Sequence, residues 1–344
     1  MSFEGLKKYR FFTLPRDVIM SAALVFVMGA ILTYLLSDIW NTREDYSFGY
    51  LMPVFVLYVL YDRWAKIYSY FSSPLEPGES ANGGALQAAV GAGFGITAVA
   101  GIVLFIFFGL LFIIAQGRTS AIFPMTVGFS LIFFTSAYFA SAKNLAGEKM
   151  PLKRRWDFVM LFVFPAFAWI ISAPVFGVVE EKISLFLLSK VAYVVLNVMD
   201  FLGYVVELRG NVIHFPSGSV GVADACSGIR SLTACLFAGS FLAAVFLDKF
   251  WKKVALVASS MVLAFLFNLV RALFLSFWAY ENGADSIAGF VHDAAGYFVL
   301  GMTVVGLLLL LPLFSLSPVP KEFRDVEDGG EDGENPDDDS DKKK

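Results

Sequence analysis

Gly221–Leu232 reads GVADACSGIRSL, a short polar knot around Cys226 that runs straight into an apolar stretch over about 228–247. About twenty such residues are what a helix needs to cross a hydrocarbon core about 30 Å thick. The same pattern recurs at about 18–36, 48–61, 86–115, 121–141 and 157–178 before it, and at about 254–280 and 287–314 after it. Apolar residues that fall in blocks of this length, rather than in stripes of helical period, define an all-α polytopic membrane protein of about eight transmembrane helices. The composition agrees, with 58% hydrophobic residues, 37 Phe and only 16% charged residues.

The segment over 183–206 breaks the pattern with Lys190 and Asp200, and ELRGNVIHFPSGSVGVADAC follows it, its short β-branched runs punctuated by Gly, Asn and Pro. It reads as an interfacial helix and then a small extracytoplasmic β-hairpin, placed just before the helix that begins beside Cys226. The formal charge of −4 belongs to the tail, because residues 321–344 carry 11 of the 30 acidic and 5 of the 26 basic residues. The chain thus divides into a cytoplasmic N-terminus over 1–17, a transmembrane domain over 18–314 and a disordered acidic cytoplasmic tail over 315–344. Within the transmembrane domain, about 183–314 carries the chemistry-bearing residues. Met1–Arg16 is basic, but the apolar stretch after it is long and lacks a small-residue cleavage site, so a retained first helix is expected. Cys226 and Cys235, nine apart in one helix, are too distant for an unstrained disulfide.

Basic loops set the orientation. Lys7, Lys8, Arg10 and Arg16 precede the first span, and Arg63 and Lys66 follow the second. Lys143, Lys149, Lys153, Arg154 and Arg155 follow the fourth, and Lys249, Lys252 and Lys253 follow the sixth. With eight spans, all of these fall on the cytoplasmic side, as loops rich in Lys and Arg should. Span six then starts outside near Cys226. Span seven starts inside near Val254 and reaches Arg271 seventeen residues later, about 25 Å up at 1.5 Å per residue. His292 lies at the outer start of span eight. Three residues far apart in sequence are therefore expected at one depth.

Their chemistry is compatible. A thiol becomes a nucleophile as the thiolate, which a helix N-terminus, an imidazole and a guanidinium each favour. His292 can serve as general base toward Cys226 and as acid toward a leaving amine. Arg271 can stabilise the thiolate or an oxyanion, with backbone amides near Ser227 and Gly228 as further donors. An arginine at the centre of a span costs roughly 2.5–3.5 kcal/mol, which calls for a function or a partner. Each residue also has a plainer reading: Cys226 as a packed inert thiol, Arg271 in a structural ion pair or snorkelling, His292 as a helix cap. Cys235 reads as packing and His214 as a strand residue. Asn268, one turn before Arg271, can orient it by hydrogen bonding; Arg230, one turn beyond Cys226, competes for the role of Arg271. Asp224 either caps the helix or pairs with Arg230 or Arg271. One cysteine and one histidine make a thin metal-ligand set, and no cofactor or nucleic-acid partner is implied.

These residues resemble the exosortase and archaeosortase family of membrane-embedded cysteine transpeptidases. GNVIHFPSGSVGVADACSGIRSL resembles the family's GNxI strand, hairpin and A(C)SG(L/I)RSL signature. NLVRALFL resembles its NxxR segment, and FVHDAAGYFV its H(D/E)xxG segment. Asp45–Trp64, DYSFGYLMPVFVLYVLYDRW, resembles DYSHGxLVPxxxLxLLWxRR, with Phe48 where bacterial members often have histidine. The resemblance spans roughly 45–314 and implies Cys226 as nucleophile with Arg271 and His292 beside it. It also implies membrane-anchored substrates ending in a sorting signal, in which a short motif such as PEP is followed by an apolar helix and a basic end. The same resemblance implies cleavage through a Cys226 thioester that a lipid- or glycan-linked amine resolves, in the inner membrane of a Gram-negative bacterium, with the site facing the periplasm. The rival class is a transporter or scaffold of polysaccharide export, for which an Arg271–Asp224 ion pair would line a substrate path.

Overall fold

The computed structural model describes residues 13–75, 84–115, 119–175, 177–216, 218–221, 229–247, 249–287 and 289–315. The side chains of residues 44, 177, 229–231 and 315 lie outside that description, as does the tail from 316. Eleven helices of α type are described: α1 Arg16–Thr42, α2 Leu51–Asp62, α3 Trp64–Ser72, α4 Ala85–Ile114, α5 Ile122–Ala140, α6 Leu152–Met160, α7 Val163–Phe167, α8 Gly177–Phe201, α9 Ile229–Phe246, α10 Phe250–Asn282 and α11 Phe290–Ser315.

Six of these, α1, α4, α5, α8, α10 and α11, are long and apolar enough to cross a membrane. A seventh crossing results if α6 is joined to α7 and the 3-10 turn after it, which meet at a bend of 53°. The expected eight is not reached by length and composition. The run at 48–61 yields only the 12 residues of α2, preceded by a 3-10 turn over Glu44–Tyr50, and α9 has 18 residues. The interfacial helix expected over 183–206 overlaps Gly177–Phe201, which has the length to cross. Its contacts nevertheless tie both its ends to one end of the bundle: Glu180 pairs with Arg43 after α1, while Val195 and Met199 pack with Ala279 and Ile287.

The bend before α7 has a local cause. Pro165 has no N–H to give the carbonyl of Leu161 four residues earlier, and the Arg63 guanidinium donates to that carbonyl instead. Arg63 also donates to the carbonyl of Ala244 at 3.0 Å, joining α2 to the far end of α9.

At one end, Leu14 and Val18 pack with Ile67, Phe71, Ala137, Ala140 and Phe158. Arg16, Arg63, Lys66, Lys143, Lys149, Lys153, Arg154 and Arg155 neighbour these residues in the chain. Arg154 donates to the carbonyl of Pro74 and Arg155 to that of Tyr138. The Arg63–Ala244 bond brings in the α9–α10 turn with Lys249, Lys252 and Lys253. The basic loops therefore share one end.

The opposite end carries a three-stranded antiparallel sheet, β1 Glu207–Arg209, β2 Val212–Phe215 and β3 Gly218–Gly221. The expected hairpin is thus present with a third strand. Ile213, Phe215 and Val220 bury one face of it against α8 and α10. His214 is a β2 residue paired with Glu207 and Ser219, as its reading required. Gly218 sits against Ala284, in the 3-10 turn Ala284–Ile287 between α10 and α11.

Candidate active site

Arg271 lies on α10 and His292 near the start of α11. The helices double back through Gly283 and Gly289, whose φ values of 90° and 67° suit glycine and allow the reversal. The reversal brings the guanidinium to α11. Arg271 Nη2 stands 2.9 Å from His292 Nε2 and donates to the His292 carbonyl at 3.2 Å. A guanidinium has donors only, so Nε2 is the acceptor and the ring proton of this neutral imidazole is on Nδ1. One turn on, Gly296 leaves the backbone bare: a Cβ there would meet Nη2 at 3.4 Å. Arg271 Nε is buried and has no hydrogen-bond partner among the described residues.

The expected meeting of Arg271 and His292 is therefore observed. Asn268 is buried one turn earlier, but the described hydrogen bonds of Arg271 go to His292 rather than to Asn268. Asp224, Cys226, Ser227 and Gly228 lie outside the described residues, and Arg230 is described by its backbone alone.

The packing of α9 states where the chain enters this region. Gly239 abuts Ser260, and α9 and α10 are antiparallel across a short turn. Counting ten residues back and ten forward puts Ile229 level with Val270, next to Arg271. On the other side, buried Cys235 lies beside Thr303 of α11. Six residues before each are Ile229 and Tyr297, the neighbour of Gly296. Ile229, three residues after Cys226, thus begins α9 at the level where Arg271 meets α11. Cys235 is packing, as expected.

The part played by Asp45–Trp64 was not legible as a position in space. Its 3-10 turn backs α9: Thr233 donates to the Asp45 carbonyl at 3.2 Å, and Phe48 stacks on Phe237 with centroids 5.3 Å apart. Phe48 supplies an apolar contact where the related motif has histidine. Phe55 continues the stack onto Phe237 and Phe241. Gly49 lies on the Trp40 indole, leaving no space for a side chain, and Trp40 Nε1 donates to the Ser172 carbonyl at 2.9 Å. Arg43 makes a two-point ion pair with Glu180, which holds the Arg43 pKa above the ordinary guanidinium value. Burial pushes Tyr46 up to about 12. Among the described residues no group of three or more His, Cys, Asp or Glu side chains could hold a metal.

A polytopic helical bundle with a small sheet and an Arg–His pair at one end defines an integral membrane protein with a polar site near its surface. The family model for transmembrane exosortases (EpsH type) matches residues 40–309, and the chain belongs to that family. Searches of curated proteins and of solved structures returned no match.

Proposed function

We propose that this exosortase is a membrane-embedded cysteine transpeptidase with Cys226 as nucleophile. The observation that supports it most is the Arg271–His292 pair at the level where the chain enters α9, three residues past Cys226. A guanidinium there lowers the energy of a thiolate and of the tetrahedral oxyanion it forms. The thiolate attacks the scissile carbonyl, the C–N bond breaks, and the leaving amine takes up the proton that the thiol gave up. An acceptor amine then attacks the thioester, its C–N bond forms and the thiol is restored.

The substrates are membrane-anchored proteins ending in a short motif, an apolar helix and a basic segment; the acceptor is a lipid- or glycan-linked amine. The basic end of the bundle faces the cytoplasm with both termini, Gly177–Phe201 lies along the outer surface, and the site faces the periplasm of a bacterial inner membrane. The single end shared by the basic loops, opposite the Arg271–His292 pair, supports this orientation.

The test is a reporter ending in Pro-Glu-Pro, twenty apolar residues and an arginine cluster, expressed with the enzyme. Cys226→Ala and Arg271→Ala are expected to stop its cleavage while both variants accumulate in the membrane. A transporter or scaffold predicts no such cleavage by any form.

A further inference from the structure

The structure assigns His292 a role other than proton acceptor: we propose that it is a positioning residue, the hydrogen-bond acceptor that holds the Arg271 guanidinium in one place at the first turn of α11. This rests on the transpeptidase reading.

The contact has two points. One nitrogen, Nη2, reaches both Nε2 and the backbone carbonyl of His292, at 2.9 and 3.2 Å. The carbonyl fixes the guanidinium to the first turn of α11, and the ring fixes its direction. Gly296 lies beside the same guanidinium, where an added Cβ would stand 3.4 Å from Nη2. An arginine on a flexible stem loses rotamer freedom when held in one place, so a fixed acceptor is what keeps its charge aimed.

The same bond argues against a base. The lone pair of Nε2 is occupied by an N–H of a group that stays protonated. Protonating that nitrogen would break the bond and set two cations side by side. The other nitrogen carries the proton, so toward anything beyond Arg271 the neutral ring is a donor.

Amide variants separate the two roles. In Gln the side-chain oxygen is as many bonds from Cβ as Nε2 is in His, so His292→Gln keeps an acceptor for Arg271 but cannot take a proton near neutral pH. His292→Asn places its oxygen at the reach of Nδ1 instead. With the reporter, His292→Gln is expected to lose less than about ten-fold, whereas removing a general base costs about 10²- to 10⁴-fold. His292→Asn and His292→Ala are expected to fall well below His292→Gln. The pH dependence of Cys226 alkylation by iodoacetamide, in a Cys235→Ala background, is expected to be the same in His292→Gln as with His292 intact.

A loss in His292→Gln equal to that in His292→Ala, at equal membrane abundance, overturns the positioning role. So does a shifted alkylation profile. Cleavage by Cys226→Ala would instead overturn the transpeptidase reading, so the two failures are distinguishable. A measurement on the native ring needs no substitution at His292. The chain has two histidines, so ¹⁵N-histidine NMR of full-length His214→Gln reports His292 alone. The neutral ring with its proton on Nδ1 is the expected state; a proton on Nε2 at neutral pH contradicts the proposal.

Discussion

Gly239 of α9 lies so close to Ser260 of α10 that a Cβ added to it would fall 2.5 Å from Oγ and 2.7 Å from Cβ of that serine. Small residues let transmembrane helices approach closely, and this contact sets the register that levels Ile229 with Val270. Gly239→Ala is expected to destabilise the α9–α10 pair by about 1–3 kcal/mol, as overpacking does. Thermal unfolding in detergent checks it. Ser260→Gly in the same chain should restore most of the loss; no recovery would mean that the contact is not what limits the fit.

Arg43 and Glu180 tie the end of α1 to the start of α8 across 137 residues of sequence. Their side chains are 31% and 12% exposed, so solvent screening discounts the pair, and a double-mutant cycle is expected to return about 1 kcal/mol. The partner raises the Arg43 pKa. That contribution is therefore complete below the ordinary guanidinium range and is lost only as pH rises through the higher folded value. Titration from neutrality to about pH 10 should leave it intact. Exchanging the charges, Arg43→Glu with Glu180→Arg, should recover more stability than either change alone.

Cys235 is 1% exposed and lies beside Thr303, whereas Cys226 is proposed at the outer membrane face. Cys235→Ala is expected to retain cleavage of the reporter and to lose about 1 kcal/mol of stability, in line with a small buried substitution. In that background a membrane-impermeant maleimide should label Cys226 from the periplasmic side of intact cells. Labelling only after the cytoplasmic side is opened would reverse the orientation.

Much of this was legible in the sequence because apolar length alone specifies a membrane helix. The runs that became α1, α4, α5, α10 and α11 needed no tertiary information. The depth shared by Arg271 and His292 followed from helix rise and the placement of basic loops, and the two residues are bonded. The count of crossings was less accessible. Pro165 breaks α6–α7, and the break is stable because Arg63, about a hundred residues earlier, satisfies the exposed Leu161 carbonyl. No local pattern encodes such a partner. The Gly49–Trp40 and Gly239–Ser260 contacts were likewise out of reach: a glycine in an apolar run signals close approach without saying to what. For Asp45–Trp64 the motif was recognisable, while its place behind α9 rests on the Phe48–Phe237 stack.

The central claim is a covalent one, that substrate is carried on Cys226. Its direct measurement is mass spectrometry of the Cys226 peptide from full-length enzyme incubated with the reporter in the absence of an acceptor amine. The expected result is a reporter fragment attached to Cys226 and released by hydroxylamine, as a thioester is. Cleavage of the reporter without any adduct, and continuing at the unchanged rate in Cys226→Ala, would contradict it.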